Sequence, residues 1–196
     1  MSPLVAMLAG AVVAAALGGL SLLRADDIVT GWRNAANVTA RTAVPVFLAA
    51  YCASSLVRVF GGRLPRALLV NRRSLGLAVA AIMTVHVGAI LGHGAVSRDP
   101  HAVHVIDSGG LTYVFIYLMA LTSNQASRRV LGRWWGVLHG VGAQVILLKF
   151  FSLVVLRSWP HLGVFSTVMG AAIVAAVALR IVAFFAARRA DGARPA

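Results

Sequence analysis

The chain has 196 residues, of which 60% are apolar and only 12% charged, with a formal net charge of +13 and a mean hydropathy of +0.86. No water-soluble domain of this size has interior enough to hide so much apolar surface, whereas a bilayer is itself the apolar solvent. The basic balance points away from nucleic acid, because the arginines fall in short clusters between apolar runs, as membrane proteins place them.

Taken in order, six apolar runs approach the roughly 20 residues that a spanning helix needs: about 3–23, 43–60, 74–93, 110–123, 134–156 and 162–183. The first has no basic stretch before it and is too long for a signal peptide, so it reads as a retained helix. The fourth is short, its apolar part running only from Gly110 to Leu121, which suits a thin or protein-lined part of a bundle. The expected fold is an all-α integral membrane protein, a six-transmembrane-helix bundle forming one domain over 1–190, with a short disordered tail at 191–196.

Six spans put both termini and the second and fourth loops on one side. That side collects Arg63, Arg66, Arg72 and Arg73, then Arg128, Arg129 and Arg133, then Arg188, Arg189 and Arg194, with Arg58 and Arg180 at helix ends facing it. The other side has Arg24, Arg33, Arg41, Arg98 and Arg157 and four of the five aspartates. The richer side is cytoplasmic by the distribution of arginine, so both termini are expected there, in a bacterial inner (plasma) membrane crossed several times. Arg24 after the first helix is the one local conflict. The first loop is the longest, followed by the outer loop Gly94–Gly109, which carries His101 and His104 as ordinary loop residues.

The single cysteine, Cys52, lies within an apolar run, and the five acids are all aspartate. Disulfide frameworks, thiolate metal sites and paired-carboxylate chemistry therefore lack material. What remains is a set of ionisable groups inside spans, costly there and functional candidates by default: His86, His139 and Lys149, with His93 at the outer end of the third span. One buried histidine alone is ordinarily satisfied by a carbonyl or a hydroxyl. Two on separate helices match the way a bundle holds b heme between imidazoles. Helical rise puts His86 roughly 20 Å in from Arg73 and His139 only about 9 Å in from Arg133, an offset that tilt must reduce if one iron takes both. His93 follows His86 by seven residues on the same stripe and is a candidate outer ligand or a headgroup-level polar residue.

Gly136, Gly140 and Gly142 beside His139 allow close approach, either to a flat ligand or to a neighbouring helix. Lys149 snorkels, pairs with Asp107, or meets a propionate or anionic lipid. Arg73 and Arg133 are candidate contacts for heme propionates or a flavin phosphate, against the alternative that the arginine clusters only set topology and bind acidic headgroups of membrane lipid.

Two longer motifs carry a resemblance. Asn71-Arg-Arg-Ser-Leu-Gly-Leu, with His86 thirteen positions after Arg73, resembles the third-helix signature of the ferric reductase-like transmembrane family. Leu121-Thr-Ser-Asn-Gln-Ala-Ser-Arg-Arg-Val-Leu-Gly-Arg-Trp-Trp-Gly-Val-Leu-His139 resembles the fifth-helix pattern of its MsrQ branch. Arg41-Thr-Ala and Ala178-Leu-Arg180 are shorter echoes, and the likeness spans essentially the whole chain. It implies six helices, b heme on histidines of the third and fifth helices (His86 and His139 here), FMN as a further cofactor, and transfer of electrons to a periplasmic MsrP-like oxidoreductase catalytic subunit. The family pattern has another histidine thirteen positions after His139, where this chain has Ser152. That departure bears on a second heme and gives His93 added interest.

The sequence has no Gly-rich dinucleotide fingerprint after a strand, so electrons are expected from quinol or a separate cytoplasmic flavin reductase. The expected function is an electron-transfer subunit of an oxidoreductase system, not a self-sufficient enzyme. Two alternatives stand beside it: a ferric or oxygen reductase-type heme protein, and a heme-free small transporter or scaffold in which His86, His139 and Lys149 line a polar path.

Overall fold

Local signals start and stop each helix. Ser2 accepts the Val5 N–H at 3.2 Å ahead of Pro3 and opens α1 (Pro3–Leu23), proline being suited to the first helical turn, where its missing N–H costs nothing. Asp27 accepts the Thr30 N–H at 2.8 Å and opens α2 (Ile28–Phe60). Gly61 and Gly62, at φ of 62° and 86°, end α2 in a conformation that only glycine adopts without strain. The short α3 (Arg63–Val70) follows, then α4 (Arg72–Ser97) and α5 (His104–Leu121). Asn124 caps α6 (Gln125–Leu131) by accepting the Ser127 N–H at 2.8 Å. Gly132, at φ 51°, turns the chain into α7 (Arg133–Val154). A 3-10 turn (Leu156–Ser158) and α8 (Val164–Gly192) complete the chain. This computed structural model describes residues 2–97, 104–158, 160 and 163–192, and no strand occurs among them.

The chain is an α-helical, multi-pass membrane protein. Five helices are long and apolar enough to cross a bilayer: α1, α2, α4, α7 and α8 over Val164–Arg189. The expected sixth, at 110–123, falls within α5, whose apolar part Gly109–Leu121 is shorter than a span; thirteen residues rise only about 20 Å.

The first connection departs most from expectation. In place of the longest loop, α2 begins at Ile28, only a few residues after α1 ends at Leu23. Arg33, Asn34, Asn37 and Arg41 read as loop by polarity, yet Asp27 supplies the missing acceptor for the first turn and the helix runs on. Likewise the basic loops are helical as α3 and α6, α4 extends to Ser97, and α8 continues past the expected end at 183 to Gly192. The tail from 193, His101, and the side chains of His104 and Asp107 lie outside the described residues.

In lipid, helices gain little from mutual hydrophobic burial and associate through close van der Waals contact at small residues. α1 meets α2 where Gly18 faces Thr39 and Ala35, and meets α4 where Gly10 faces the Ala78 carbonyl. Gly92 of α4 admits the Trp32 ring, which a β-carbon there would meet at 2.5 Å. α5 pairs with α7, α4 touches α5, and α8 lies against α2 and α7. Six helices thus converge on a central cluster that includes Ala14, Val44, Phe47, Ile82, Ile116, Ile146 and Ile173.

The Asp27 cap is open to test. The Thr30 hydrogen bonds hold its carboxyl below the ordinary aspartate value. A depressed folded value means a contribution present above the unfolded pKa and lost as pH falls through the folded one. Asp27→Ala is expected to lower the melting temperature at neutral pH, and the difference from wild type should vanish in strong acid; circular dichroism melts at several pH values measure both.

Candidate functional site

At the arginine-rich end of the bundle, α2, α4, α5, α7 and α8 leave a cavity of about 590 Å³, within the range of small-molecule and cofactor sites. Its floor is apolar, with Phe47, Val79, Ile116, Ala143 and Ile146; its rim is basic, with Arg72, Arg73 and Arg128, and Arg180 of α8 stands in its wall. None of the lining residues is acidic. The shape suits a flat, apolar body with anionic groups at one edge.

His139 stands in its wall, and its position follows from how α7 starts. The Trp135 indole N–H donates to the Thr122 carbonyl at 2.9 Å, fastening the first turn of α7 to the end of α5. One turn later the His139 ring stacks on Trp135, with centroids 4.0 Å apart and planes at 24°. Its Nδ1 lies 3.0 Å from the Trp135 carbonyl oxygen. A carbonyl only accepts, so Nδ1 carries the proton and Nε2 carries the lone pair. That Nε2 is buried and has no hydrogen-bond partner among the described residues.

The three glycines of this stretch divide by role. A β-carbon on Gly142 would come within 2.5 Å of Met119 Sδ and 3.0 Å of Phe115, so Gly142 is where α7 closes on α5. At Gly136 and Gly140 a β-carbon meets nothing within 4 Å, and both line the cavity, as does Gly76, which is equally open. Two of the glycines therefore make room for a ligand and the third makes a helix contact.

His86 is elsewhere. It is buried on α4, its Nδ1 3.2 Å from the Thr39 hydroxyl of α2. Thr39 Oγ1 also lies 2.8 and 3.0 Å from the Ala35 and Ala36 carbonyl oxygens, which ties His86 to the backbone of α2 through one hydroxyl. Tyr113 of α5 lies alongside, with ring centroids 6.3 Å apart. His86 does not line the cavity, whose deepest α4 residue is Val79; seven residues separate them, about 10 Å along the helix. Of the two histidines, only His139 lines the cavity.

Of the other expected contacts, Arg73 lines the cavity and Arg133 does not, its guanidinium lying over the Trp134 ring at 5.4 Å. His93 is farther out on α4, and its Nδ1 is buried without a hydrogen-bond partner. Lys149 and Ser152 are half-buried on α7, away from the cavity. Among the described residues no group of three or more His, Cys, Asp or Glu is placed to hold a metal ion. Arg72, Arg128 and Arg180 were not singled out as ligand contacts by the sequence. For Arg180 a signal existed: an arginine within an apolar run, with no acid nearby in sequence to neutralise it.

No family model, curated protein or solved structure matches this chain.

The residues present fit a heme better than a bare ion. A histidine whose Nε2 is buried and unpartnered stands in the wall of a cavity of cofactor size, two glycines clear the wall beside it, and arginines suited to carboxylates rim the opening.

Proposed function

We propose that this protein is a membrane electron-transfer subunit that holds b heme in the basic-rimmed cavity on His139, in a six-span bundle with α5 as a short fourth crossing and both termini on the arginine-rich, cytoplasmic face of a bacterial inner membrane. The observation that supports it is His139 in the cavity wall, its Nδ1 held by the Trp135 carbonyl and its Nε2 buried without a hydrogen-bond partner among the described residues. Bound heme would take up and release single electrons, at a potential set by its axial ligand and burial. Trp135 orients the imidazole and raises its basicity through the Nδ1 hydrogen bond, as outer partners of ligating histidines do. Arg73, with its neighbours on the rim, neutralises anionic arms. Val79, Ile116 and Ile146 exclude water from the ring. His86, Tyr113 and Thr39 lie deeper toward the other face, on the path electrons take to a periplasmic acceptor such as an MsrP-like catalytic subunit.

Quinol or a cytoplasmic flavin reductase supplies the electrons. The test is reconstitution in vesicles: quinol, or flavin reductase with its reductant on the arginine-rich side, should reduce the heme, and an impermeant oxidant on the opposite side should reoxidise it. Heme that neither donor reduces, or that only same-side oxidant reoxidises, contradicts electron transfer across the membrane. A flavin spectrum without a Soret band would assign the cavity to FMN.

A further inference from the structure

Arginines at the cytoplasmic surface need no ligand to explain them, since they set topology. Arg72, Arg73 and Arg128 are of that kind, at the start of α4 and on the short α6. Arg180 is not. It lies inside the apolar stretch Val164–Arg189 of α8, about 13 Å along the helix from Arg189, where an unpaired charge is costly.

Its surroundings hold it in place without neutralising it. The guanidinium carbon sits 4.6 Å from the centroid of the Tyr51 ring, and the Tyr51 hydroxyl donates to Gln144 Oε1 at 3.2 Å, fixing the ring beneath it. Nη1 is buried with no hydrogen-bond partner among the described residues. Arg180 lines the same cavity as His139, and no acid lines it. A buried guanidinium nitrogen without an acceptor is destabilising. Because the side chain lines the cavity, a carboxylate lodged there supplies the counter-charge the surroundings lack, and a planar guanidinium matches a carboxylate through two parallel hydrogen bonds.

We infer that Arg180, held on Tyr51, is the anchor for a carboxylate arm of the cavity's ligand, so that the site selects a flat macrocycle with anionic arms over the same macrocycle without them. This rests on the heme proposal above. Arg180 acts as a specificity-determining residue, while His139 takes the iron.

The test titrates heme b and its dimethyl ester, in which both propionates are neutral, into the full-length apo-protein in detergent, with Arg180→Gln and Arg180→Lys beside wild type. Wild type is expected to bind heme b roughly tenfold or more tightly than the ester. Arg180→Gln should weaken heme b by a similar factor and leave the ester unchanged, and Arg180→Lys should recover part of the loss. Equal binding of the two ligands by wild type, or equal weakening of both in Arg180→Gln, would overturn the inference while leaving heme on His139 intact. Binding of neither ligand by wild type would remove the heme proposal and this inference together.

Discussion

Replacing His139 by alanine is expected to strip the purified protein of its Soret band. Even residues that only orient a metal ligand change affinity by roughly 10–100-fold when removed, and among the described residues His139 is the only histidine that lines the cavity. Heme content should therefore fall by more than about tenfold. The helix itself should persist, since alanine is a better helix former than histidine and Trp135 stays fastened to Thr122. His86→Ala is the informative partner. His86 lies outside the cavity and hydrogen-bonds Thr39, so its loss should cost stability at the α2–α4 contact and leave the Soret band in position. Equal loss of heme in both variants would mean that α4 and α7 shift along the bundle to bring the two imidazoles onto one iron.

The second large effect belongs to Gly140. Leucine there points a branched side chain into space where a β-carbon alone meets nothing within 4 Å, filling the cavity without pressing on a neighbouring helix. Heme occupancy is expected to drop by about tenfold or more, a cost of roughly 1.4 kcal/mol or above. The apo-protein should melt near the wild-type apo temperature. Gly142→Leu should reverse the pattern, because its first added atom already collides with Met119 and Phe115. Overpacking of this kind costs about 1–3 kcal/mol, so the apo-protein itself should lose stability. Heme titration and thermal melts of the two variants, side by side, separate ligand space from helix contact.

Much of the architecture was legible from apolar periodicity. Runs near 3–23, 74–93 and 134–156 appear as α1, α4 and α7 with ends displaced by a few residues. The region 28–42 was missed because Arg33, Asn34, Asn37 and Arg41 depress hydropathy, while helix formation there depends on one capping carboxylate, Asp27, and not on apolarity. The short basic helices α3 and α6 were missed for the same reason: each is bounded by positive-φ glycine, which reads as a turn on either account. Within the site, His139 and Arg73 were legible from type and depth. That His139 lines the cavity while His86 does not was not legible, since it depends on how α4 and α7 pack against their neighbours, which no spacing rule supplies. The helix-rise arithmetic nevertheless carried the warning: the offset between the two histidines was already about 10 Å. Arg180 looked like a helix end only because the last span was expected to stop at 183; the apolar stretch of α8 runs on to Arg189, which leaves that charge inside it.

The central claim is that this membrane protein carries heme on His139. Reduced-minus-oxidised difference spectra and heme quantitation on protein purified from heme-replete cells test it most directly. Wild type is expected to show b-type difference bands with heme bound stoichiometrically, and His139→Ala to lose them. A folded wild-type protein with a featureless difference spectrum, or a His139→Ala protein with undiminished heme, would contradict it.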